Sequence, residues 1–193
     1  MSLGPLFRAL ADAFDGPLEI ELQARAALLS ADTSAAGPAA AIDLPGPFLE
    51  VMARPEAHPV CRVIAGVPLP WAPPQTSPDP DYVAHSLPKR HVELLGPDGL
   101  VGSDTVRLGL YGILPRAEYG IRTHPAEEVF VMLAGEAYWK RGGDDYALLG
   151  PGQRAHHPSM MPHATRTRRS AFLSAYVWCG DVSTEHYVYA GRG

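Results

Sequence analysis

The sequence has few of the features that mark secreted, membrane-embedded or nucleic-acid-binding proteins. Its two cysteines, Cys61 and Cys179, lie far apart and form no CxxC pair, which disfavours a disulfide framework or a cysteine-based zinc knot. With 19% charged residues and a net charge of −5, it offers no broad cationic surface for phosphate backbones. No apolar run approaches the roughly 20 residues of a spanning helix, and the first residues lack the pattern of a signal peptide. We therefore expect a cytoplasmic protein that binds neither nucleic acid nor membrane.

The composition favours one compact unit built mainly from short strands and turns. The 193 residues are 46% hydrophobic, enough for one substantial core, and the 20 prolines and 19 glycines disfavour a helical bundle. Apolar residues recur at helical spacing near the start of the chain, at Leu6, Leu10, Phe14, Leu18, Leu22, Ala26 and Leu29. Residues 67–80 contain six prolines, each of which removes a backbone donor. We therefore predict an N-terminal helical cap at 1–66, a proline-rich connector at 67–90 and a barrel at 91–193.

From about His91 the hydrophobic period falls from 3.6 towards two, which indicates strands. Alternation is clear in the stretches HVELLG, TVRLGLYGIL, EVFVMLAGEAYWKRGG, AFLSAYVWC and HYVYAG. Gly135-Glu136 supplies a tight turn within the third of these stretches. Many short strands separated by Gly and Pro turns predict a mainly β fold, either a small antiparallel barrel or a double-sheet jelly roll.

A candidate metal site lies in the middle of the predicted strands. In an extended backbone, residues two and four apart point the same way, so one face is predicted to carry Arg122, His124, Glu128 and Phe130 if the backbone stays extended through Pro125. An imidazole nitrogen and a carboxylate oxygen are good ligands for a divalent first-row metal. The third ligand must come from another strand, and His163, after a proline, is the obvious source. Two histidines and one carboxylate leave coordination positions open for water or substrate.

These motifs resemble those of the cupins. The first cupin motif, HxH followed by a glutamate and a glycine, is matched by Arg122, His124, Glu128 and Gly135. The second, a turn of proline and glycine followed by a proline and a histidine, is matched by Pro151, Gly152, Pro162 and His163. Within the cupins, the stretch Tyr119 to Ala164 most resembles the bacterial dimethylsulfoniopropionate (DMSP) lyases. The resemblance implies a cupin double-stranded β-helix, that is a jelly-roll barrel, with an N-terminal helical segment.

The resemblance also implies a reaction and a set of ligands. DMSP lyases split DMSP into dimethyl sulfide and acrylate by metal-assisted β-elimination, and the matched positions assign His124, Glu128 and His163 as ligands of one divalent metal. Tyr119 stands where these lyases carry an active-site tyrosine. Two positions depart from the family pattern, because Arg122 replaces the first histidine of HxH and Phe130 replaces a tyrosine.

The elimination itself suggests roles for further residues. A base must remove the proton alpha to the substrate carboxylate, and a tyrosine whose pKa is lowered by the metal or by Arg122 is suitable. Tyr119 is the first candidate and Tyr111 the second. A sulfonium group prefers aromatic faces, for which the chain offers Trp178, Tyr176, Trp139 and Phe130. Arg122 is a candidate partner for the substrate carboxylate.

Several alternatives stay open at this point. The same ligands serve non-haem iron oxygenases, and a cupin that has lost its metal can bind a small anion through Arg122 without catalysis. Zinc, iron, manganese, cobalt and nickel all suit two imidazoles and a carboxylate. His156 and His157 are predicted to hydrogen-bond locally rather than to bind metal, and Glu127 is predicted to face away from the cavity. Neither the oligomeric state nor a lid role for residues 67–90 follows from the sequence.

Overall fold

A computed structural model describes residues 3–36 and 40–191 of the chain, and it begins with short helices. The helices are α1 (Gly4–Ala13), α2 (Glu19–Ser30), a 3-10 turn (Thr33–Ala35), α3 (Gly46–Met52), α4 (Val60–Ala65) and α5 (Pro80–Ser86). Three of them, α1, α3 and α5, carry proline in the first turn, where its missing N–H costs nothing. The predicted N-terminal helices are therefore confirmed. None of the helices in the described ranges is long and apolar enough to cross a membrane.

The strands form two sheets. They are β1 (Lys89–Gly96), β2 (Val101–Gly102), β3 (Val106–Ile113), β4 (Glu118–Thr123), β5 (Glu127–Gly135), β6 (Ala137–Arg141), β7 (Ala147–Leu149), β8 (Arg154–His157), β9 (His163–Arg166), β10 (Phe172–Cys179) and β11 (Val188–Gly191). One sheet has the order β2-β1-β3-β10-β5-β8, and the other has the order β11-β4-β9-β6-β7. The pairings shown by this part of the chain are antiparallel, apart from the short β1–β2 pair. This double-sheet arrangement confirms the predicted mainly β fold.

Alternation along β5 separates two cores. Val129, Val131 and Leu133 belong to an apolar core that also contains residues of α1 to α4, so the helices cover the outer face of the six-stranded sheet. Phe130 and Met132 belong to a second, aromatic core with residues of both sheets. Side chains two apart on a strand share a face, and Glu128 therefore points towards the aromatic interior.

Two turns position the strands that carry the site. Gly135 ends β5 with φ +68°, as the predicted turn requires, and a Cβ there would lie 2.0 Å from the carbonyl oxygen of Ala171. Gly152, with φ +81°, forms the turn that leads into β8. Glycine adopts this left-handed backbone without steric cost.

The helix α2 buries a different face from the one its leucines predict. Leu22 and Leu29 are exposed by 51% and 56%, whereas Ile20, Ala24 and Leu28 pack into the core. The helix has apolar residues on both sides, and its buried side includes Glu21, whose carboxylate is bound by Arg154 of β8 with 2.8 Å between Nε and Oε1.

The segment 67–90 is partly regular. Its first part is extended and forms isolated bridges, Ile42 with Pro70 and Ala72 with His91. Helix α5 follows, capped by Asp79, whose carboxylate accepts from the backbone N–H groups of Asp81 and Tyr82 at 2.8 and 3.1 Å. Strand β1 already begins at Lys89.

Candidate metal centre

The three predicted ligands converge inside the barrel. His124 lies just after β4, Glu128 lies on β5, and His163 is the first residue of β9. Their side chains are 2%, 3% and 1% exposed, and one ligand atom from each lies within 4.8 Å of the others. The predicted meeting of two imidazoles and a carboxylate from separate strands is therefore confirmed.

Backbone carbonyls orient both imidazoles towards Glu128. His124 Nδ1–H donates to the carbonyl of Ala126 at 3.0 Å, and His163 Nδ1–H donates to that of Met161 at 2.8 Å. A carbonyl oxygen accepts only, so Nδ1 carries the proton and Nε2 faces inward. His124 Nε2 and His163 Nε2 lie 3.5 and 3.1 Å from Glu128 Oε2.

The three facing atoms fit a metal ion. Among the described residues, His124 Nε2, Glu128 Oε2 and His163 Nε2 have no hydrogen-bond partner although all are buried. The lone pairs of a carboxylate oxygen and two imidazole nitrogens repel one another at this separation, and a cation between them would remove that repulsion. Burial lowers the pKa of His163 well below its ordinary value, which disfavours a proton there. A divalent transition metal satisfies all three atoms at once.

Trp178 contacts two of the three candidate ligands. Its indole Nε1–H donates to Glu128 Oε1 at 2.5 Å, and its ring stacks on His124 with 4.1 Å between the centroids. One carboxylate oxygen is thus held by a neutral donor, which leaves Oε2 directed at the histidines. The indole therefore orients the carboxylate as well as lining the cavity.

Arg122 lies beside the centre on β4. It is 2% exposed and stands opposite His163 in the register of β4 and β9, so the two side chains share a face. The guanidinium carbon lies 3.7 Å from the centroid of the Tyr119 ring, and Nη1 donates to the Tyr119 carbonyl at 3.5 Å. Nη2 is buried and meets no acceptor within the described part of the chain. Nη2 of Arg122 is therefore a charged donor that can bind an anion.

A small cavity of about 40 Å³ adjoins Glu128. Its lining includes the predicted residues Tyr111, Tyr119, Phe130, Tyr176 and Trp178. It shares Thr76, His91, Glu93 and Arg107 with a groove of about 550 Å³ that is also lined by Pro70, Pro73 and Gln75. Residues of the proline-rich segment therefore line both the cavity and the adjoining groove.

The two candidate tyrosine bases differ in their hydrogen bonding. Tyr119 Oη shares a hydrogen bond of 2.5 Å with Tyr187 Oη, whereas Tyr111 Oη is buried with no partner among residues 3–36 and 40–191. Burial raises the pKa of Tyr119 well above its ordinary value, Tyr187 and Tyr82 add to the rise, and Arg122 acts in the opposite direction. Burial also raises the pKa of Tyr111. The cation alone therefore does not make Tyr119 acidic.

The side chains of His157 and His156 point to opposite faces of β8. His157 is fully buried, its Nδ1 lies 3.4 Å from Glu128 Oε2, and its ring stacks on that of His163 with 4.2 Å between centroids. His156 points outward and contacts Glu127 at 2.7 Å, so Glu127 does face away from the cavity. The two-residue period of β8 was available from the sequence, but its pairing with β5 was not.

Lys89 is a residue of the interior that the sequence analysis did not single out. It is fully buried, with Nζ 3.7 Å from the centroid of the Tyr119 ring. Burial, together with the charge of Arg122, lowers the pKa of Lys89 to about 6. Lys89, His91 and Glu93 alternate along β1, and His91 and Glu93 line the cavity. The alternation of these residues could have placed Lys89 on the same strand face. The sequence instead assigned Lys89 to a connector that was predicted to extend to residue 90.

Comparison with known proteins gives consistent matches. The family model for dimethylsulfoniopropionate lyase matches residues 75–174, just over half of the chain. The curated DMSP lyase DddQ of Ruegeria pomeroyi is 38% identical over 91 residues, which span 47% of this chain and 45% of that relative. The crystal structure of DddQ from R. pomeroyi aligns over 96% of both chains with 26% identity and a TM-score of 0.64. A structure reported with the DMSP lyases RdDddP and RnDddQII aligns over 96% and 95% of the two chains with 22% identity and a TM-score of 0.66, and it supports the fold.

Proposed function

Since this chain belongs to the DMSP lyase family, we propose that it cleaves DMSP to dimethyl sulfide and acrylate by β-elimination. The observation that carries the proposal is the convergence of His124, Glu128 and His163 through buried atoms that need a cation. Glu128 of this cluster lines a cavity that is also lined with aromatic rings, the surroundings that suit a sulfonium substrate. The same ligands with iron and oxygen would serve an oxygenase, and the same cavity without a metal would serve a binding protein. Metal analysis, oxygen uptake and release of dimethyl sulfide distinguish these two functions from the lyase.

One divalent metal is the proposed cofactor, held by His124, Glu128 and His163. Zinc, iron, manganese, cobalt and nickel all accept this set of ligands. When bound, the metal supplies a Lewis acid that binds the substrate carboxylate and stabilises developing negative charge. The neutral imidazoles and the single carboxylate leave the centre with a net positive charge, which suits an anionic group.

The side chains around the cavity are proposed to orient the two ends of DMSP. The sulfonium end is placed against the faces of Trp178, Tyr176 and Phe130, because a soft cation is attracted to the negative face of an aromatic ring. The carboxylate end is placed towards Arg122, whose Nη2 is buried and would otherwise stay unsatisfied. Arg122 therefore changes from a lost ligand of the family motif into a substrate-binding residue.

Tyr119 is the proposed base. Its phenolate takes the proton alpha to the carboxylate, the electron pair of the C–H bond forms the C=C bond of acrylate, and the C–S bond breaks to release neutral dimethyl sulfide. Because burial raises the pKa of Tyr119, its own proton must leave first, and Tyr187 Oη at 2.5 Å is the first group on the way out. Tyr111 is the second candidate, with its ring centroid 5.6 Å from that of Tyr119.

A headspace assay for dimethyl sulfide tests the reaction. Purified protein is loaded with each of the five metals in turn and given DMSP, with and without a chelator. We expect dimethyl sulfide from at least one metal form, loss of the signal with chelator, and recovery when that metal is restored. Stoichiometric metal without dimethyl sulfide, together with oxygen uptake, would support an oxygenase. A protein that takes up no stoichiometric metal would be a binding cupin.

Tyrosine variants test the base. Tyr119→Phe is expected to lower turnover at least about 100-fold, the usual scale for losing a general base, while metal occupancy stays near that of the unchanged protein. Tyr138→Phe is the control. Tyr138 lies on β6, where the centroid of its ring is 4.8 Å from the guanidinium carbon of Arg168. Equal losses of turnover and metal would make Tyr119 structural or a ligand. A larger loss of turnover in Tyr111→Phe would move the role to Tyr111.

A further inference from the structure

We propose that His157 is a positioning residue of the metal centre, which holds Glu128 from the side opposite Trp178 and supports the ring of His163. Neither cupin motif includes this residue. The inference rests on the proposed metal centre and deepens it, because it concerns how the carboxylate ligand is kept in place.

The placement of His157 is set by the backbone. In the antiparallel pairing of β5 and β8, His157 stands directly opposite Glu128. Side chains at such positions share a face with their Cβ atoms about 4.5–5.5 Å apart. His157 is fully buried there, and its Nδ1 lies 3.4 Å from Glu128 Oε2. No fluctuation of a loop is needed to bring the two groups together.

The ring geometry excludes His157 as a fourth ligand to the same ion. The rings of His157 and His163 are nearly parallel, with 15° between their planes and 4.2 Å between their centroids. Two nearly parallel, stacked imidazoles do not direct their nitrogen lone pairs at one point, so His157 would not share an ion held by His163. Consistently, the cluster of mutually close ligand atoms contains His124, Glu128 and His163 without His157.

A supporting role explains the contacts that remain. Both ring nitrogens of His157 are buried and find no aligned partner in the described chain, whereas buried polar atoms in proteins are rarely left without one. The nearby acceptor is Glu128 Oε2, and a proton on Nδ1 avoids placing a lone pair against that oxygen. Trp178 already donates to the other oxygen, Oε1. His157 and Trp178 together would hold the carboxylate at both oxygens.

Cobalt affinity tests this role without any assay of catalysis. Co²⁺ binding is measured by competition with a coloured chelator, and the absorption spectrum of bound Co²⁺ reports its coordination. His157→Leu removes both nitrogens at similar size, and we expect its Co²⁺ affinity to fall about 10–100-fold with the spectrum retained. His157→Asn keeps an N–H donor near the δ position and is expected to recover most of the affinity. His156→Leu is the matched control on the outer face of the same strand, and its affinity is expected to stay within about twofold.

Each result supports or contradicts the positioning role proposed for His157. Unchanged affinity in His157→Leu would overturn the proposal, and a fall above about 1000-fold with a changed spectrum would make His157 a ligand. If His157→Leu does not fold, His157→Asn is compared with His157→Gln, whose donor is displaced towards the ε position, and equal affinities would overturn the proposal. If the unchanged protein binds neither Co²⁺ nor any other metal, the proposed metal centre is itself wrong. That result differs from one in which the centre binds metal but His157 has no effect on its affinity.

Discussion

Replacing Lys89 with methionine is expected to stabilise this protein at neutral pH. The Lys89 side chain is fully buried, its Nζ donates to Ser86 Oγ at 3.4 Å, and the ring centroids of Tyr119 and Tyr82 lie 3.7 and 5.2 Å away. Burial, followed by the charge of Arg122, lowers the pKa of Lys89 from 10.5 to about 6. The amine is therefore largely neutral in the folded protein at neutral pH and charged in the unfolded chain.

The size of the effect follows from the two pKa values of Lys89. Each pH unit below the unfolded pKa costs about 1.4 kcal/mol, so deprotonating the amine on folding at about pH 7 costs about 5 kcal/mol. The two aromatic faces and the hydrogen bond to Ser86 recover part of this cost. We expect Lys89→Met, which keeps the length of the chain without the amine, to gain roughly 2–5 kcal/mol.

The pH dependence has a defined sign. Between pH 6 and 10.5 the folded protein binds fewer protons at Lys89 than the unfolded chain does, because its folded pKa is lowered. The free energy of unfolding therefore rises with pH across this window, and Lys89→Met should flatten that rise.

Urea denaturation at several pH values, with Lys140→Met as the matched control, measures both effects. The sequence has two lysines, and Lys140 is a partly exposed residue whose Nζ donates to the Asp144 carbonyl at 3.0 Å. An NMR titration of the lysine Cε signals gives the pKa directly. Titration of Lys89 above pH 9, or a loss of stability in Lys89→Met at every pH, would refute the reasoning.

Three further predictions concern the rest of the molecule. Arg154→Met should lower the free energy of unfolding by about 3 kcal/mol in urea denaturation, because it strands the fully buried carboxylate of Glu21, while exposed Arg169→Met should have little effect. Phe130→Tyr should raise DMSP turnover in the headspace assay, because it adds a phenol on the face of the strand that carries the carboxylate ligand; unchanged turnover would contradict the proposed cavity. Co²⁺ at about 100 times its Kd should stabilise the protein by about 2.7 kcal/mol in thermal denaturation, and equal stabilisation of His163→Ala would place the ion elsewhere.

The strands and the ligands were predictable because their signals are local. A period of two orients alternate side chains within β4 and within β5, and the structure has Arg122, Glu128 and Phe130 inside the barrel. The prediction of one shared strand face was wrong, because the chain leaves the strand conformation at residues 124–126 and passes from β4 in one sheet to β5 in the other. The turn at Gly135 was likewise readable, since a left-handed backbone favours glycine. The buried face of α2 was not predictable, because apolar residues lie on both sides of that helix and its packing depends on core residues far away in the sequence.

The sequence by itself determined the residue types of the centre, two imidazoles and a carboxylate at spacings that suit strands, together with the departures at Arg122 and Phe130. Only the tertiary structure decided that His157 lies against Glu128 and that Lys89 is buried against Tyr119. The physical reason is that the first placement depends on the pairing of β5 with β8, and the second depends on how the two sheets face each other, since β1 and β4 lie in different sheets. Both depend on contacts between residues far apart along the chain, and the alternation within a single strand does not specify its partner.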